Sequence, residues 1–543
     1  MRIRENNKDI TVQAIAGTYV VLLGMNANES ARKGLLGFAI QRQDLTENEQ
    51  YWLAGFRTFK ETAPNPKPGS LVTTHEHPIQ AFLWGDYTAK PDHHYKYTVI
   101  PVYGQPKKLE YGDGITVDVN TENEDQGKYA IFFNRGVAGS QAYARKFGNK
   151  KPNEVPDNAA YKWLSRGLEE AIIEFIGQAN GKDYSLRASV YEFSWPNVLN
   201  AFKKAATIAD VKIVYDCRKP NPKKTSDTAI KKAGLRDYMI KRKSNPSYIS
   251  HNKFIVLLKN GKPIEVWTGS TNFTEGGIFG QSNVGFIIRD SEIAEKYLEY
   301  WNDLAKDTPA KTLRHTNIEN TPDLSGAPSK GITPIFSPRP DLNILEWYAQ
   351  RMGSAKNVLG FTAAFGVNKM LADVLAEDGN DLRYILLEKK GPTFNQFSKV
   401  KNNMIALGTV LDQNVIEKTK LYRWLGESLT GLNTFVEYLH TKYFFLDPLS
   451  NDPTVISGSA NFSVASTKNN DENMIIIHGD TSVADIYLGE FMRLWDHFYF
   501  RDIVSRLSKE STVDSSYLRP DDSWTDKFFK QGLIHEKVRL AFA

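Results

Sequence analysis

Residues 251–273 read HNKFIVLLKNGKPIEVWTGSTNF, and residues 440–462 read HTKYFFLDPLSNDPTVISGSANF. Each stretch opens with a His and a Lys two positions apart and closes on Gly-Ser-x-Asn-Phe. His251 and His440, Lys253 and Lys442, Gly269 and Gly458, and Asn272 and Asn461 are all separated by 189 residues. A repeat at constant spacing marks a duplicated structural unit. The apolar run after each His predicts a strand, over 251–258 and 440–446, and strand alternation puts His and Lys on one face. A single His-x-Lys carries little information in a lysine-rich chain. Two copies with the same downstream turn carry much more.

The pattern continues outward from these blocks. Strand–helix–strand alternation is expected from Leu186–Phe193, Pro196–Ala206 and Val211–Tyr215, with Trp163–Gln178 as one helix before them. Strand Asn283–Ile288 and helix Glu292–Leu304 close the first unit. The second repeats the order with Ile344–Met352, Asn357–Phe361, Lys369–Ala376, Leu382–Leu387, Thr454–Ser457, Asn473–Ile477 and Ala484–Phe498. Such alternation predicts α/β units. A stretch rich in Pro, Ser, Gly and Asn at Thr321–Pro338 reads as the linker between them. Downstream, GQSNVGFII aligns with NDENMIII through a one-residue insertion, pairing Asn283 with Asn473 at 190.

The residue types suit the cleavage of a phosphate diester. That chemistry needs a nucleophile, a proton for the departing oxygen, and donors or cations around the phosphoryl oxygens. His251, Lys253, Asn272, His440, Lys442 and Asn461 supply all of them, so no metal or other cofactor is required. Ser270 and Ser459 of the two turns, with Asn283 and Asn473, are supporting candidates.

His-x-Lys followed by Gly-Ser-x-Asn, present twice, resembles the signature of the phospholipase D superfamily. The resemblance spans roughly residues 158–502. It implies two pseudo-symmetric α/β halves in one chain whose His-x-Lys strands meet at a single site, one His becoming a phosphohistidine and the other protonating the leaving group. A dimer is then not required to complete the site. The family motif carries an Asp after its Lys. Asp447 fills that place in the second block, and Leu258 replaces it in the first, which points to a structural role for Asp447. The family also often sets a carboxylate after the second turn, on the His of the same half. Glu472 would then hold His440 as a charged general acid. That leaves His251 neutral as the nucleophile, with Glu275 as another conceivable partner for it.

Residues 1–148 read differently. About seven short apolar runs punctuated by Gly, Pro, Asn and Asp predict an all-β accessory domain of the immunoglobulin- or fibronectin-like sandwich kind. The expected domains are therefore 1–148, 158–320 for half 1, 335–510 for half 2, and a tail at 511–543 packing on the core. The cluster His75, Glu76, His77, His93 and His94 is read as surface loop rather than metal site. The lone Cys217 excludes a disulfide framework.

Charge narrows the substrate. The chain carries +5 overall, yet residues 218–243 alone hold ten Lys/Arg against Asp227 and Asp237, leaving the remainder at −3. Lys231, Lys232, Lys241, Arg242 and Lys243 are the candidates for holding a polyanion. The N-terminal MRIRENNKDITVQA has no apolar core of a signal peptide, so a cytoplasmic protein is expected. The wording GSTNFTEGGIFGQSN resembles the nuclease-type branch found in bacterial DNA-processing and defence proteins. A nuclease acting on nucleic acid is the first reading. A phospholipase D working at an anionic membrane, and a binding subunit that recruits a protein partner through its β domain, are the others.

Overall fold

The computed structural model describes residues 1–136, 139–217, 220–244, 248–320, 326–419, 424–429, 431–432, 436–507 and 517–543. Two seven-stranded sheets form its centre. In order across the sheet, the first runs Tyr129–Phe133, Val284–Ile288, Lys262–Gly269, Lys253–Lys259, Tyr184–Val190, Asp210–Asp216 and Met239–Arg242. The second runs Gly331–Ser337, Glu472–His478, Thr454–Gly458, Tyr443–Leu446, Val358–Ala363, Leu382–Leu387 and Asn403–Leu407. The order is identical strand for strand, and the last three strands of each list are mutually parallel.

Side-chain alternation on the central strands builds the layers. Phe254 and Val256 point to the core between the halves, shared with Phe286, Tyr297, Tyr443, Phe445, Tyr487 and Phe491. Ile255 and Leu257 point to the opposite face, against Ile172, Phe202 and Trp267. Phe444 and Ile456 do the same in the second half, under helices Asn343–Gly353 and Lys369–Ala376. Each such side chain, fully removed from water, contributes on the order of 1.5–3 kcal/mol, so two-sided burial of both sheets fixes the register of the site strands. Helices Ser291–Ala305 and Thr481–Leu507, which follow the last strand of each half, share the central core.

Several expectations change. Tyr129–Phe133, counted with the β domain, is the edge strand of the first catalytic sheet, paired with Val284–Ile288. Its counterpart Gly331–Ser337 lies inside the stretch read as a linker (of which 321–325 fall outside the described residues). Pro334 misled that reading, because an edge strand tolerates a residue without an N–H. The predicted helix Trp163–Gln178 is two helices, Ala159–Ser165 and Leu168–Gly177, broken at Arg166 and Gly167 with φ of 48° and 86°.

The N-terminal region is all-β. Antiparallel sheets built on Ile10–Ala16 with Val21–Ala27, and on Gly37–Asp44 with His94–Gln105, enclose one core of Val12, Leu23, Phe38, Tyr97 and Val117. Trp524 and Phe528 of the C-terminal tail complete that core, while Phe542 reaches the central one. The tail thus ties the β region to the catalytic halves. The histidines there are absorbed locally: His93 faces Asp44 at 2.9 Å, His94 bonds Asp118, His75 stacks on Tyr111, and His77 accepts the Phe59 N–H.

Candidate active site

The two Gly-Ser-x-Asn turns are forced by strand packing. A Cβ on Gly269 would lie 2.2 Å from the Val284 carbonyl oxygen, and one on Gly458 would lie 2.4 Å from that of Asn473. Only glycine lets the turn close on its neighbour. The following serines then point their hydroxyls back at the strand after the turn. Ser270 Oγ donates to Asn283 Oδ1 at 2.8 Å, and Ser459 Oγ donates to Glu472 Oε2 at 2.7 Å.

These bonds correct the alignment. Asn283 and Glu472 are equivalent, again 189 apart, so no insertion falls between each turn and the strand that follows it. Asn473 matches Val284 instead. It is buried at the seam, donating to Asn252 Oδ1 and accepting from Tyr297.

The halves exchange partners at the site. The His251 N–H donates to the Asp471 carbonyl at 2.8 Å, and the His440 N–H donates to the Ser282 carbonyl at 3.2 Å. Each histidine is thereby held beside the strand start of the other half. Glu472 Oε2 lies 2.9 Å from Nδ1 of His251, and Asn283 Oδ1 lies 2.9 Å from Nδ1 of His440. The expectation that Glu472 holds His440 is overturned. Pairing within one half would be the simplest sequence rule, but the pseudo-twofold crosses the acceptors over. Glu275 is not a partner of His251 either, since it takes the Tyr161 hydroxyl.

The candidate residues converge in a buried chamber. The His251 and His440 rings face each other with centroids 6.5 Å apart. His251, Lys253, Asn272, His440 and Lys442 are all buried. Each lysine donates to the backbone carbonyl of the histidine two residues before it. Burial, then the adjacent Lys253 and Lys442, pushes both imidazoles well below their ordinary range. Burial likewise lowers Lys253 to about 7 and Lys442 well below its ordinary value, while raising Glu472 to about 7. Crowding and desolvation thus press these groups toward their neutral forms, and an anion beside them would favour their charged forms. Among the described residues, Asn272 and Asn461 each keep a buried Oδ1 without a hydrogen-bond partner.

The sequence reading missed Glu192. Its Oε2 accepts from Asn272 Nδ2 at 2.8 Å, and its carboxyl is raised by burial against the pull of Lys253 and Lys442. It follows the strand Tyr184–Val190 at the catalytic end, a place the alternation alone does not mark. The Asp447 carboxylate accepts the backbone N–H groups of Lys356, Asn357 and Val358, bonds that join two strands of the second half.

The basic run does not form one patch. Arg242 is fully buried, bonding Asp471 at 3.0 Å and Asp307 at 3.1 Å, so it braces the site from behind and does not face a substrate. Lys231 and Lys232 are exposed at the far end of helix Pro220–Lys232, which runs back from the catalytic strand ends. Lys241 and Lys243 are exposed at the near end, and Arg218 and Lys219 lie outside the described residues. Across the chamber, Lys389 and Lys390 are exposed just after strand Leu382–Leu387, at its catalytic end.

The sequence pattern of the family described as "Cardiolipin synthase, PLD-like domain" matches residues 172–305 and 351–495, just over half of the chain. The chain belongs to the phospholipase D superfamily. Its two matched segments bracket the two His-x-Lys blocks, as the duplicated sheets require. No curated protein matches the sequence. Among solved structures it is similar to phosphatidylserine synthase from Haemophilus influenzae (13% identity, TM-score 0.42, covering 64% of this chain and 91% of that one). It is similar to Nuc from Salmonella typhimurium, a phospholipase D family member (23%, 0.23, covering 33% and 94%). It is also similar to polyphosphate kinase from Porphyromonas gingivalis (11%, 0.40, covering 60% of this chain and only 45% of the kinase). The matched family sets the chain as a phosphodiesterase or transferase of the phospholipase D superfamily.

Proposed function

We propose that the protein is a metal-independent phosphodiesterase working through phosphohistidine at His251, and that its substrate is a nucleic acid. The observation that carries the reaction class is the facing pair His251 and His440, each with Nδ1 held by an acceptor of the opposite half. Nδ1–H donation to Glu472 leaves the lone pair on Nε2 of His251. That nitrogen attacks phosphorus, the bond to the departing oxygen breaks, and His440 gives that oxygen its proton. Water then attacks the phosphohistidine, losing its proton to His440, and His251 leaves with the electron pair of the P–N bond. Lys253, Lys442, Asn272 and Asn461 hold the phosphoryl oxygens through both steps. Burial and the neighbouring Lys442 and Lys253 hold His440 below its ordinary value, and an arriving phosphate charge raises its proton affinity.

Exposed lysines on both sides of the chamber, Lys241 and Lys243 in one half and Lys389 and Lys390 in the other, support a polyanion running across the mouth. A second reading, a lipid diester, draws support from one feature. A cavity of about 380 Å³ opens beside Asn461, lined by Phe365, Val367, Pro392 and Phe462, and Phe365 is 56% exposed at its rim. Among the described residues no helix is long and apolar enough to cross a membrane. The deciding experiment incubates the protein, in excess EDTA, with labelled single- and double-stranded DNA, RNA, and vesicles of phosphatidylcholine with cardiolipin. Cleavage of a nucleic acid, weakened by Lys389→Gln with Lys390→Gln and steeply by salt, is expected. Turnover of vesicles alone would install the lipid reading, and activity restored only by a divalent ion would end the metal-independent one.

A further inference from the structure

Away from the catalytic chamber, the β region meets both halves around a cavity of about 360 Å³. Phe56 and Tyr87 come from the β region, Arg135, Arg145 and Trp163 from the entry to half 1, and Trp424, Arg493, Phe500 and Arg501 from half 2. None of the His-x-Lys or Gly-Ser-x-Asn residues lines it. One wall is a ladder of rings, Phe56 on Trp424 at 4.4 Å and Trp424 on Phe500 at 4.6 Å.

The cations in this wall are unequally matched. Glu490 answers Arg166 and Arg493 together, and Glu427 answers Arg501. Arg135 and Arg145 have no ion-pair partner among the described residues. Their guanidiniums lie instead over rings, Arg135 over Trp163 at 4.5 Å and Arg145 over Phe56 at 5.2 Å. Arg135 Nε and His497 Nε2 are buried with no hydrogen-bond partner among the described residues. Burial, aided by Arg166 and Arg493, lowers Arg135 to about 9. Among the described residues the one carboxylate lining the cavity is Asp496, which is engaged by the Tyr87 hydroxyl and raised by burial to about 6. Holding the Arg135 guanidinium out of water without an ion-pair partner is costly, and an anion placed between it and the exposed Arg145 removes that cost. Bare phosphate would leave most of the space and the aromatic wall unused. A ligand with an anionic end and a flat apolar face fits both.

We propose that this cavity binds a phosphorylated nucleoside, its phosphate against Arg135 and Arg145 and its base against the aromatic wall. The site joins three parts of the chain, so occupancy clamps the β region onto the catalytic halves. This holds whichever diester the catalytic site cleaves.

The test is calorimetric titration of the full chain with AMP, adenosine, inorganic phosphate and a 5′-phosphorylated tetranucleotide. Saturable AMP binding is expected, with adenosine and phosphate each weaker by about tenfold or more. Arg145→Glu, at an exposed position, should weaken AMP by about tenfold or more, and Lys442→Ala should leave it unchanged. Competition by the tetranucleotide would identify a strand end as the source of the phosphate. Failure to compete would identify the free nucleotide. Arg135→Met gives a second reading: AMP should raise the melting temperature of the wild type and not of this variant. Loss of AMP binding in Lys442→Ala with retention in Arg145→Glu would move the nucleotide to the catalytic chamber and overturn the proposal. So would no AMP binding at all, or phosphate binding as tightly as AMP.

Discussion

The two halves share a strand order, a 189-residue spacing and a matched set of seam hydrogen bonds, yet they place different groups on their equivalent sites. Half 2 contributes the carboxylate Glu472, and half 1 the neutral amide Asn283. Because the acceptors cross over, His251 receives the anion and His440 the amide. A carboxylate acceptor fixes the Nδ1–H tautomer more strongly than an amide does, so His251 has its Nε2 lone pair presented for attack. Half 1 also sets Glu192 on Asn272, whereas half 2 opens a cavity beside Asn461. Duplication supplied the frame, and differences at single positions divide the chemical labour.

The lysines give the largest expected effect and test whether both halves serve one site. Lys253→Ala and Lys442→Ala should each lower kcat by about 10²–10³ without unfolding the chain. Near-wild-type turnover in either, measured on the same substrate, would break the shared-chamber account. Next comes the crossover. Glu472→Gln should lower kcat by roughly 10–100-fold, less than for an orienting carboxylate that is fully ionised. Burial sets the Glu472 carboxyl at about 7, so the wild-type rate should rise as pH passes upward through that value and the carboxylate forms. The variant should lose this acid limb. If instead only leaving-group dependence changes, Glu472 serves His440 after all. The smallest effect belongs to Glu192. Its charge competes with the diester for Asn272 and the lysines, so Glu192→Gln should lower KM by about threefold with kcat little changed. A raised KM would make Glu192 a substrate contact.

The core of the site was legible because its residues repeat: two His, two Lys, two Ser and two Asn at one spacing leave little room for another reading. The α/β halves were legible from alternation, and helix Lys369–Ala376 and strand Leu382–Leu387 have the predicted bounds. What escaped depends on the third dimension. The run Tyr129–Phe133 was legible as a strand but not as the edge of the first half's sheet, and Gly331–Ser337 lay inside a stretch whose composition reads as linker. The partner of His251 sits 221 residues away across a pseudo-twofold that no local motif encodes. A lysine-rich segment looks uniform in sequence, yet folding turns Arg242 inward and sends Lys231 and Lys232 to the far end of their helix. The partner lysines Lys389 and Lys390 become visible only once two sheets face each other.

The central claim is that the duplicated site works as an ordered pair, with His251 attacking and His440 protonating. Its most direct measurement is mass spectrometry of the enzyme quenched during turnover of a p-nitrophenyl phosphodiester. That leaving group needs no proton, so His440→Ala should still form the covalent intermediate and accumulate it, while His251→Ala should form none. Phosphate on His251 in both wild type and His440→Ala is the predicted result. Phosphate on His440 in the wild type would reverse the assignment, and with it the role given to Glu472.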